Sequence, residues 1–399
     1  MVDVLVVGAG PVGLLTAYRL RCLGLSCQVL EQRLDPSWAS RASTFQPATL
    51  DRLANLGLLN ELITLGQRVE VLRHLDLPSG QYRDLDFTCL QGLTHHPFRL
   101  HLEQHWLCAL LVERLGQLQP SAQPAVCWGQ QLVAIEVNPT TDCVKPIEAW
   151  VLDSQEGLRP RKLSARWLVA ADGAHSTVRH LLKLSFNGHD LPVPVLRLML
   201  TQLPQGVSEQ LAGLTYIRHR LGSLSALRMR TDWRLILRPT DAEIMQALAN
   251  DQWARQRLAQ VFAGFSDVSA WQNLPMIFDH YRVSQRCVQE RQQGRCLLIG
   301  DAAHITNTRG GLNMNFGLLE GLDLAETLAA SMHHDIGDQQ RIVGDWARRW
   351  QERTTMVLMP RTAKLLDGRR PLEPSNGNRA AHEETTLLSQ ACLLDLTQT

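Results

Sequence analysis

The run Gly8-Ala9-Gly10-Pro11-Val12-Gly13 spaces its glycines as G-x-G-x-x-G. Its chemistry belongs to the main chain. The first glycine permits a tight turn, the second lets a pyrophosphate approach the backbone, and the third lets helix and strand pack closely. The helix that follows points its N-terminal amides and positive dipole end at the phosphates. Glu31 closes the next apolar run, where a carboxylate accepts hydrogen bonds from a ribose hydroxyl and disfavours a 2′-phosphate. Two further acids end apolar runs. Asp172-Gly173 follows Leu168 to Ala171 and leads into Ala174-His175-Ser176-Thr177-Val178-Arg179. Gly300-Asp301 follows Leu297 to Ile299 and leads into Ala302-Ala303-His304. A carboxylate at a strand's carboxyl end stands where α/β sheets bind ligands. The loop marks a dinucleotide site, and by itself does not choose between FAD and NAD.

These residues need strands and helices behind them. Val4 to Val7 is a short β-branched run that suits a buried parallel strand. Gly13 to Leu23 reads as a helix ending near Gly24, and Leu25 to Leu30 as a second strand, completing a βαβ unit. Residues 48–66 carry Leu50, Leu53, Leu56, Leu59 and Leu62 at helical spacing. Residues 69–99 turn strand-like, with a hairpin expected at Pro78-Ser79-Gly80. Helical periodicity returns at Gln104 to Leu118, strands at 126–170 and 181–240, and helix at 241–263. A helix is expected from about Met314 to Met332 and a last one from about Gln339 to Leu366. The final polar segment, beginning Asp367-Gly368-Arg369-Arg370-Pro371, is expected to be partly disordered. There is no internal repeat and no low-complexity tract.

Composition narrows the function classes. The 399 residues are 45% hydrophobic and 20% charged, as in an ordinary globular protein of one to three domains. Forty basic and 39 acidic residues leave a net charge of +1, which gives no footprint for nucleic acid. The nine cysteines are scattered without a Cys-x-x-Cys, which reads as reduced thiols. The apolar start carries Asp3 and three glycines where a signal peptide would have a positive and then an unbroken apolar region. No stretch approaches the ~20 apolar residues of a membrane span, so a cytoplasmic protein without a transmembrane segment is expected. His101 and His105 are spaced like helical metal ligands, but Leu102 stands where a zinc protease has its glutamate, and no metal is expected. No Gly-x-Ser-x-Gly is present, which argues against a serine hydrolase.

Taken together, the three acidic and glycine-rich elements resemble those of the aromatic-ring flavin monooxygenases of the para-hydroxybenzoate hydroxylase type, over roughly residues 1–335. The resemblance implies an α/β fold: a Rossmann-like FAD-binding domain with a mixed sheet, interleaved with a β-sheet-based substrate domain, plus C-terminal helices. The expected parts are 1–68, 100–180 and 276–335 for FAD, 69–99 and 181–275 for substrate, and 336–399 for a C-terminal helix and polar tail. It also implies roles. Gly8, Gly10, Gly13 and Glu31 would bind the ADP half of FAD. Asp172, Gly173 and Arg179 would serve both FAD and the reduced nicotinamide, and Gly300 with Asp301 would hold the ribityl chain and its neighbouring phosphate. Ser40-Arg41-Ala42 resembles a segment whose arginine lies near flavin and pyrophosphate, and Gln104 resembles a flavin-contacting glutamine that opens a helix. Trp233-Arg234-Leu235-Ile236-Leu237-Arg238-Pro239 resembles a strand of the substrate-domain sheet.

The segment His304 to Gly317 departs from the family. Asn307 and Thr308 stand where two prolines are usual, and Asn313 stands for a glycine, whereas Gly310, Gly311, Met314, Asn315 and Gly317 fit. The resemblance implies that glycines here let the backbone, with Gly311, Leu312, Asn313, Met314 and Asn315, lie against the isoalloxazine ring. The next helix then offers its N-terminus to the anionic reduced flavin. Asn313 is expected to fit if its φ is positive. Arg309 is expected to face solvent, the other option being an acidic substrate near the ring.

The activity implied is hydroxylation of a phenol- or aniline-like small molecule with NADH or NADPH and O2, through a C4a-hydroperoxyflavin. The cofactor then carries the hard chemistry, while the protein excludes water and positions the ring. No protein nucleophile is needed, and no catalytic base is assigned. The alternatives are a halogenase or reductase on the same scaffold, a nonenzymatic flavin-binding paralogue, and an NAD dehydrogenase using only the first loop. The halogenase signature Trp-x-Trp-x-Ile-Pro is absent. Substrate, nicotinamide preference and oligomeric state stay open, a homodimer included. Longer family members carry an extra C-terminal domain, which is not expected here.

Overall fold

The apolar runs that end in glycine or acid form one parallel core. The computed structural model describes residues 1–118, 124–136, 146–154, 157–366 and 377–397. The chain divides into two compact units, one of residues 1–42, 103–189 and 285–363, the other of 43–102, 190–284 and 364–399.

In the first unit, β1 (Val2–Val7) leads into α1 (Pro11–Cys22) and β2 (Cys27–Glu31). Pro11 sits in the first turn of α1, where its fixed φ suits the helix and its missing N–H costs nothing. Next come α2 (Gln104–Leu118), β3 (Gly157–Ala170), β4 (Cys296–Leu298) and α3 (Asn313–Ser331). The strands lie in the order β4-β3-β1-β2, all parallel, with Val4 opposite both Trp167 and Cys27 and with Val169 opposite Leu297. Val4, Val6, Trp167, Leu168 and Val169 are fully buried, as expected of parallel strands covered on both faces. Gln130–Glu136 and Ile147–Asp153 add antiparallel strands beside β3, so the sheet is mixed. Helices α1 and α3 approach closely because glycines face the contact. A Cβ on Gly317 would lie 3.0 Å from both Gly300 Cα and Val12 Cγ2.

The second unit is built on a seven-stranded sheet. Its order is Met276–Tyr281, Val195–Leu200, Trp233–Leu237, Gly222–Arg228, Leu214–His219, Val71–Asp76 and Gln81–Asp86. The hairpin between the last two turns at Pro78-Ser79-Gly80, as expected. Alternate residues Leu196, Leu198, Leu200, Leu235 and Leu237 pack against Leu258, Phe262 and Trp271. The rings of Phe262 and Trp271 stack at 5.7 Å.

Several expectations change. The helix foreseen over 48–66 is two helices, Pro47–Asn55 and Leu59–Leu65, separated where Gly57 adopts φ +70°. Residues 43–68 cluster with the second unit, because Thr44–Phe45 and Gln67–Val69 both pair with Arg99–His101. The helix foreseen over 241–263 is three short pieces, Asp241–Glu243, Ile244–Ala249 and Gln252–Val261. His101 closes a strand and Gln104 opens α2, so the two histidines do not share a helix. The opening of the polar tail, Asp367 to Pro371, lies outside the described residues, but Gly377–Ala391 is a helix. Leu388 on this helix and Cys392, Leu393 and Leu394 just after it are buried, apolar positions that the polar average of the segment conceals. Among the described residues no helix is long and apolar enough to cross a membrane.

Candidate cofactor site

The three motifs and Glu31 fall at the carboxyl ends of four neighbouring strands. Asp301 follows β4, Asp172 follows β3, Gly8 follows β1 and Glu31 ends β2. The three glycines divide their work as the spacing predicts. Gly8 adopts φ +106°, and a Cβ there would collide with the carbonyl of Ala171. A Cβ on Gly13 would collide with the Gly8 carbonyl. Gly10 is different: a Cβ there would meet nothing within 4 Å, and α1 starts with no side-chain cap on its amides. That open, amide-lined face fits a pyrophosphate.

Glu31 helps to shape the loop. Its Oε2 accepts from the Ala9 amide at 2.8 Å, and its Oε1 accepts from Arg33 N at 3.1 Å and Nε at 2.9 Å. Burial acts to raise its pKa, but the bonds from Arg33 and Ala9 outweigh burial and hold the carboxyl below its usual range. The carboxylate is therefore ionised at neutral pH.

Asp172 accepts from the Val178 amide at 3.1 Å, and Ser176 Oγ accepts from the Arg179 amide at 3.0 Å, so the second motif caps the helix Thr177–Leu181. Gly173 makes the turn with φ +83°. Asp172 Oδ1 is buried with no hydrogen-bond partner, an orphaned acceptor that fits a hydroxyl donor from a bound molecule. Burial pushes this carboxyl up. Arg179 donates to the carbonyls of Ala174 at 2.7 Å and Ala302 at 2.9 Å, and lies 3.9 Å over the Phe186 ring. It thereby braces the second motif against the third.

Beyond Asp301 the backbone makes its turn at Gly310 and Gly311, with φ +82° and +64°. Helix α3 opens at Asn313, preceded by Leu312 with no side-chain cap, so its first-turn amides carry no side-chain partner from the capping position. Met314 is buried, and buried Asn315 donates to the Gly311 carbonyl at 2.7 Å. The expectation that Asn313 needs a positive φ is corrected, because it is an ordinary helical residue and glycine is not required there. Its side chain donates to Asp301 Oδ1 at 2.8 Å and meets His304 Nδ1 at 2.9 Å. Arg309 is half-buried, a correction to the expected solvent-facing position. Arg41 is exposed, and its charge bears on Asp301. The Gln104 amide donates to the Ala42 carbonyl at 3.0 Å, tying the start of α2 to the Arg41 segment.

Asn307 replaces the rigidity of the missing prolines by hydrogen bonding. It is buried, its Nδ2 donates to the Thr362 carbonyl at 2.6 Å, and its Oδ1 accepts from the Arg309 amide at 3.0 Å. Asn307→Ala leaves the Thr362 carbonyl and the Arg309 amide without these partners, and is expected to cost about 1–3 kcal/mol in urea unfolding. Unchanged stability would mean that these bonds contribute nothing.

Glu320 and Arg291 escaped sequence reasoning. Both are buried and form an ion pair beneath the third motif. Glu320 Oε2 also accepts from the Gly300 amide at 2.8 Å. The only signal was an acid inside the apolar helical run Leu318-Leu319-Glu320-Gly321-Leu322.

Residues 1–340 match the family described as FAD binding domain. Para-nitrophenol 4-monooxygenase of Pseudomonas sp. (strain WBC-3) is 30% identical over 344 residues, covering 82% of this chain and 77% of that protein. The 6-hydroxy-3-succinoylpyridine 3-monooxygenase HspB of Pseudomonas putida (strain DSM 28022 / S16) is 29% identical over 336 residues, covering 83% and 80%. The crystal structure of p-nitrophenol 4-monooxygenase PnpA from Pseudomonas putida DLL-E4 superimposes with a TM-score of 0.77 at 24% identity, over 99% of this chain and 95% of that one.

Proposed function

The chain belongs to the FAD-binding domain family, and from that premise we propose that it is an FAD-dependent monooxygenase that hydroxylates a phenol- or aniline-like ring with NAD(P)H and O2. The observation that carries this reading is the alignment of Gly8, Glu31, Asp172 and Asp301 at the carboxyl ends of four adjacent parallel strands. A plain NAD site would use the first two and leave the other two without purpose. The names of the relatives support a hydroxylated aromatic ring as substrate.

FAD bound here would supply electron transfer from the nicotinamide and activation of oxygen. The chain's own residues do the rest. The Gly10 face and the amides of α1 would receive the pyrophosphate, and ionised Glu31 would accept from the adenosine ribose. Asp172 Oδ1 and Asp301 would meet hydroxyls of the linking chain. The first-turn amides of α3 would stabilise negative charge on the reduced ring system.

Air-free spectra test the reading. The purified protein is expected to show oxidised-flavin absorbance, to bleach slowly with NADH or NADPH, and to bleach faster with a phenol such as p-nitrophenol. A protein that stays colourless after incubation with FAD, or a flavin that no nicotinamide reduces, would overturn it.

A further inference from the structure

Beneath the third motif an unbroken chain of polar side chains runs from the surface into the core. Asp301 is open to solvent yet crowded by protein atoms. Asn313 Nδ2 lies 2.8 Å from its Oδ1, and Asn313 Oδ1 lies 2.9 Å from His304 Nδ1. On the far side, His304 Nε2 lies 3.2 Å from Glu320 Oε2, and Glu320 pairs with Arg291. His304, Glu320 and Arg291 are fully or almost fully buried, and the Phe316 ring stands edge-on to the imidazole at 5.1 Å. Other charged or titratable neighbours among the described residues include Arg41, whose charge acts on Asp301, Cys287, which pairs with His304 across two strands, and Arg286, which pairs with Ile305 there. Burial pushes the Cys287 thiol up, so it stays neutral.

The amide of Asn313 can serve this chain in two orientations, because its oxygen and nitrogen ends have nearly the same shape, although turning it over gives up the 3.4 Å bond from Nδ2 to the His304 carbonyl. With Asp301 ionised, Nδ2 donates to the carboxylate and Oδ1 must accept from His304 Nδ1–H. A neutral imidazole then turns a bare Nε2 lone pair toward Glu320. With Asp301 protonated, its O–H donates to Asn313 Oδ1, Nδ2 donates to His304 Nδ1, and His304 Nε2–H donates to Glu320. The second orientation makes a hydrogen bond at every step, whereas the first leaves two acceptors, His304 Nε2 and Glu320 Oε2, facing each other at 3.2 Å, so the row favours the protonated form of Asp301. Glycine, the family's usual residue at this position, would sever the row between Asp301 and His304.

We propose that Asn313 is a positioning residue whose amide couples the proton on the cofactor-side carboxylate of Asp301 to the tautomer of His304, and so to the Glu320–Arg291 pair that holds the Gly300 turn. That Asp301 faces FAD rests on the function proposed above, whereas the coupling does not. Two shifts agree with the geometry. Crowding by the surrounding protein atoms pushes Asp301 up to about 6 even though the side chain reaches solvent, against the lowering effects of Arg41 and Asn313. Burial, then the charge of Arg291, pushes His304 down to about 3, so its imidazole is neutral and the tautomer is what can change.

Nitrogen-15 NMR of histidine-labelled protein between pH 5 and pH 8 tests the coupling, with the His304 signals identified by loss in His304→Gln. In the wild type, hydrogen is expected on Nε2 below a midpoint near pH 6 and on Nδ1 above it. In Asn313→Gly and in Asp301→Asn the change of tautomer is expected to vanish, and two variants guard against one failing to fold. FAD titrated into the apoprotein reads the coupling independently. Its dissociation constant is expected to change around the same midpoint, and Asn313→Gly, which severs the row, moves that midpoint. A wild-type His304 with one tautomer throughout, a doubly protonated His304, or a tautomer change that survives Asn313→Gly would overturn the proposal. Failure to bind FAD at any pH would sink the cofactor reading while the NMR result still decides the coupling.

Discussion

Gly10→Val is expected to leave a folded protein that no longer retains FAD, while Gly13→Val removes the folded protein itself. The two positions share one motif and differ in what surrounds them. Gly10 has φ −76° and ψ 174°, which any residue adopts, and a Cβ there meets no protein atom within 4 Å. A valine fits the protein and occupies the space proposed for the pyrophosphate. FAD affinity should fall at least about 100-fold, on the order of 3 kcal/mol. At Gly13 the new carbon would collide with the Gly8 carbonyl, backbone against backbone, between α1 and the β1 turn. Relief requires moving a buried helix, at a cost of several kcal/mol against a total stability of about 5–15 kcal/mol. Circular dichroism melts of the apoproteins and quenching of FAD fluorescence separate the two outcomes. Tight FAD binding by Gly10→Val would mean that the pyrophosphate lies elsewhere.

Arg291→Met is expected to destabilise the protein by about 3–5 kcal/mol, because it strands the Glu320 carboxylate in the core. Arg291 also donates to Thr354 Oγ1 at 2.7 Å and to the Trp350 carbonyl at 3.1 Å, so its loss removes one partner from each, while the 2.8 Å bond from Thr354 Oγ1 to the Trp350 carbonyl stays. The double variant Arg291→Met with Glu320→Met should recover part of the loss, since removing both charges abolishes the uncompensated one. Urea unfolding of the two variants measures this. A double variant less stable than Arg291→Met would mean that the bond Glu320 accepts from the Gly300 amide outweighs the stranded charge.

The parts of the fold legible in the sequence were those specified locally. The βαβ unit showed itself because glycine spacing and short apolar runs lie within one stretch, and the three strand-end motifs because each acid directly follows its strand. Pairings between distant segments were not legible. Nothing near Thr44 announces that it pairs with His101, and this pairing places residues 43–68 in the second unit. Gly57 broke a helix whose leucine spacing ran through it unaltered. The row from Asp301 to Arg291 was hidden for a related reason: its members come from separate segments and meet only when the stretch before β4, the turn after it and α3 are packed. Asn313 looked like a backbone substitution in the sequence and proves to be a side-chain one.

The most direct test of the central claim is the fate of isotopic oxygen during turnover of p-nitrophenol, or of another phenol that accelerates flavin bleaching. With oxygen-18 gas in ordinary water, the account predicts one labelled oxygen in each hydroxylated product, with one NAD(P)H and one O2 consumed. Unlabelled product, or nicotinamide consumed with only hydrogen peroxide formed across a panel of phenols and anilines, would contradict it.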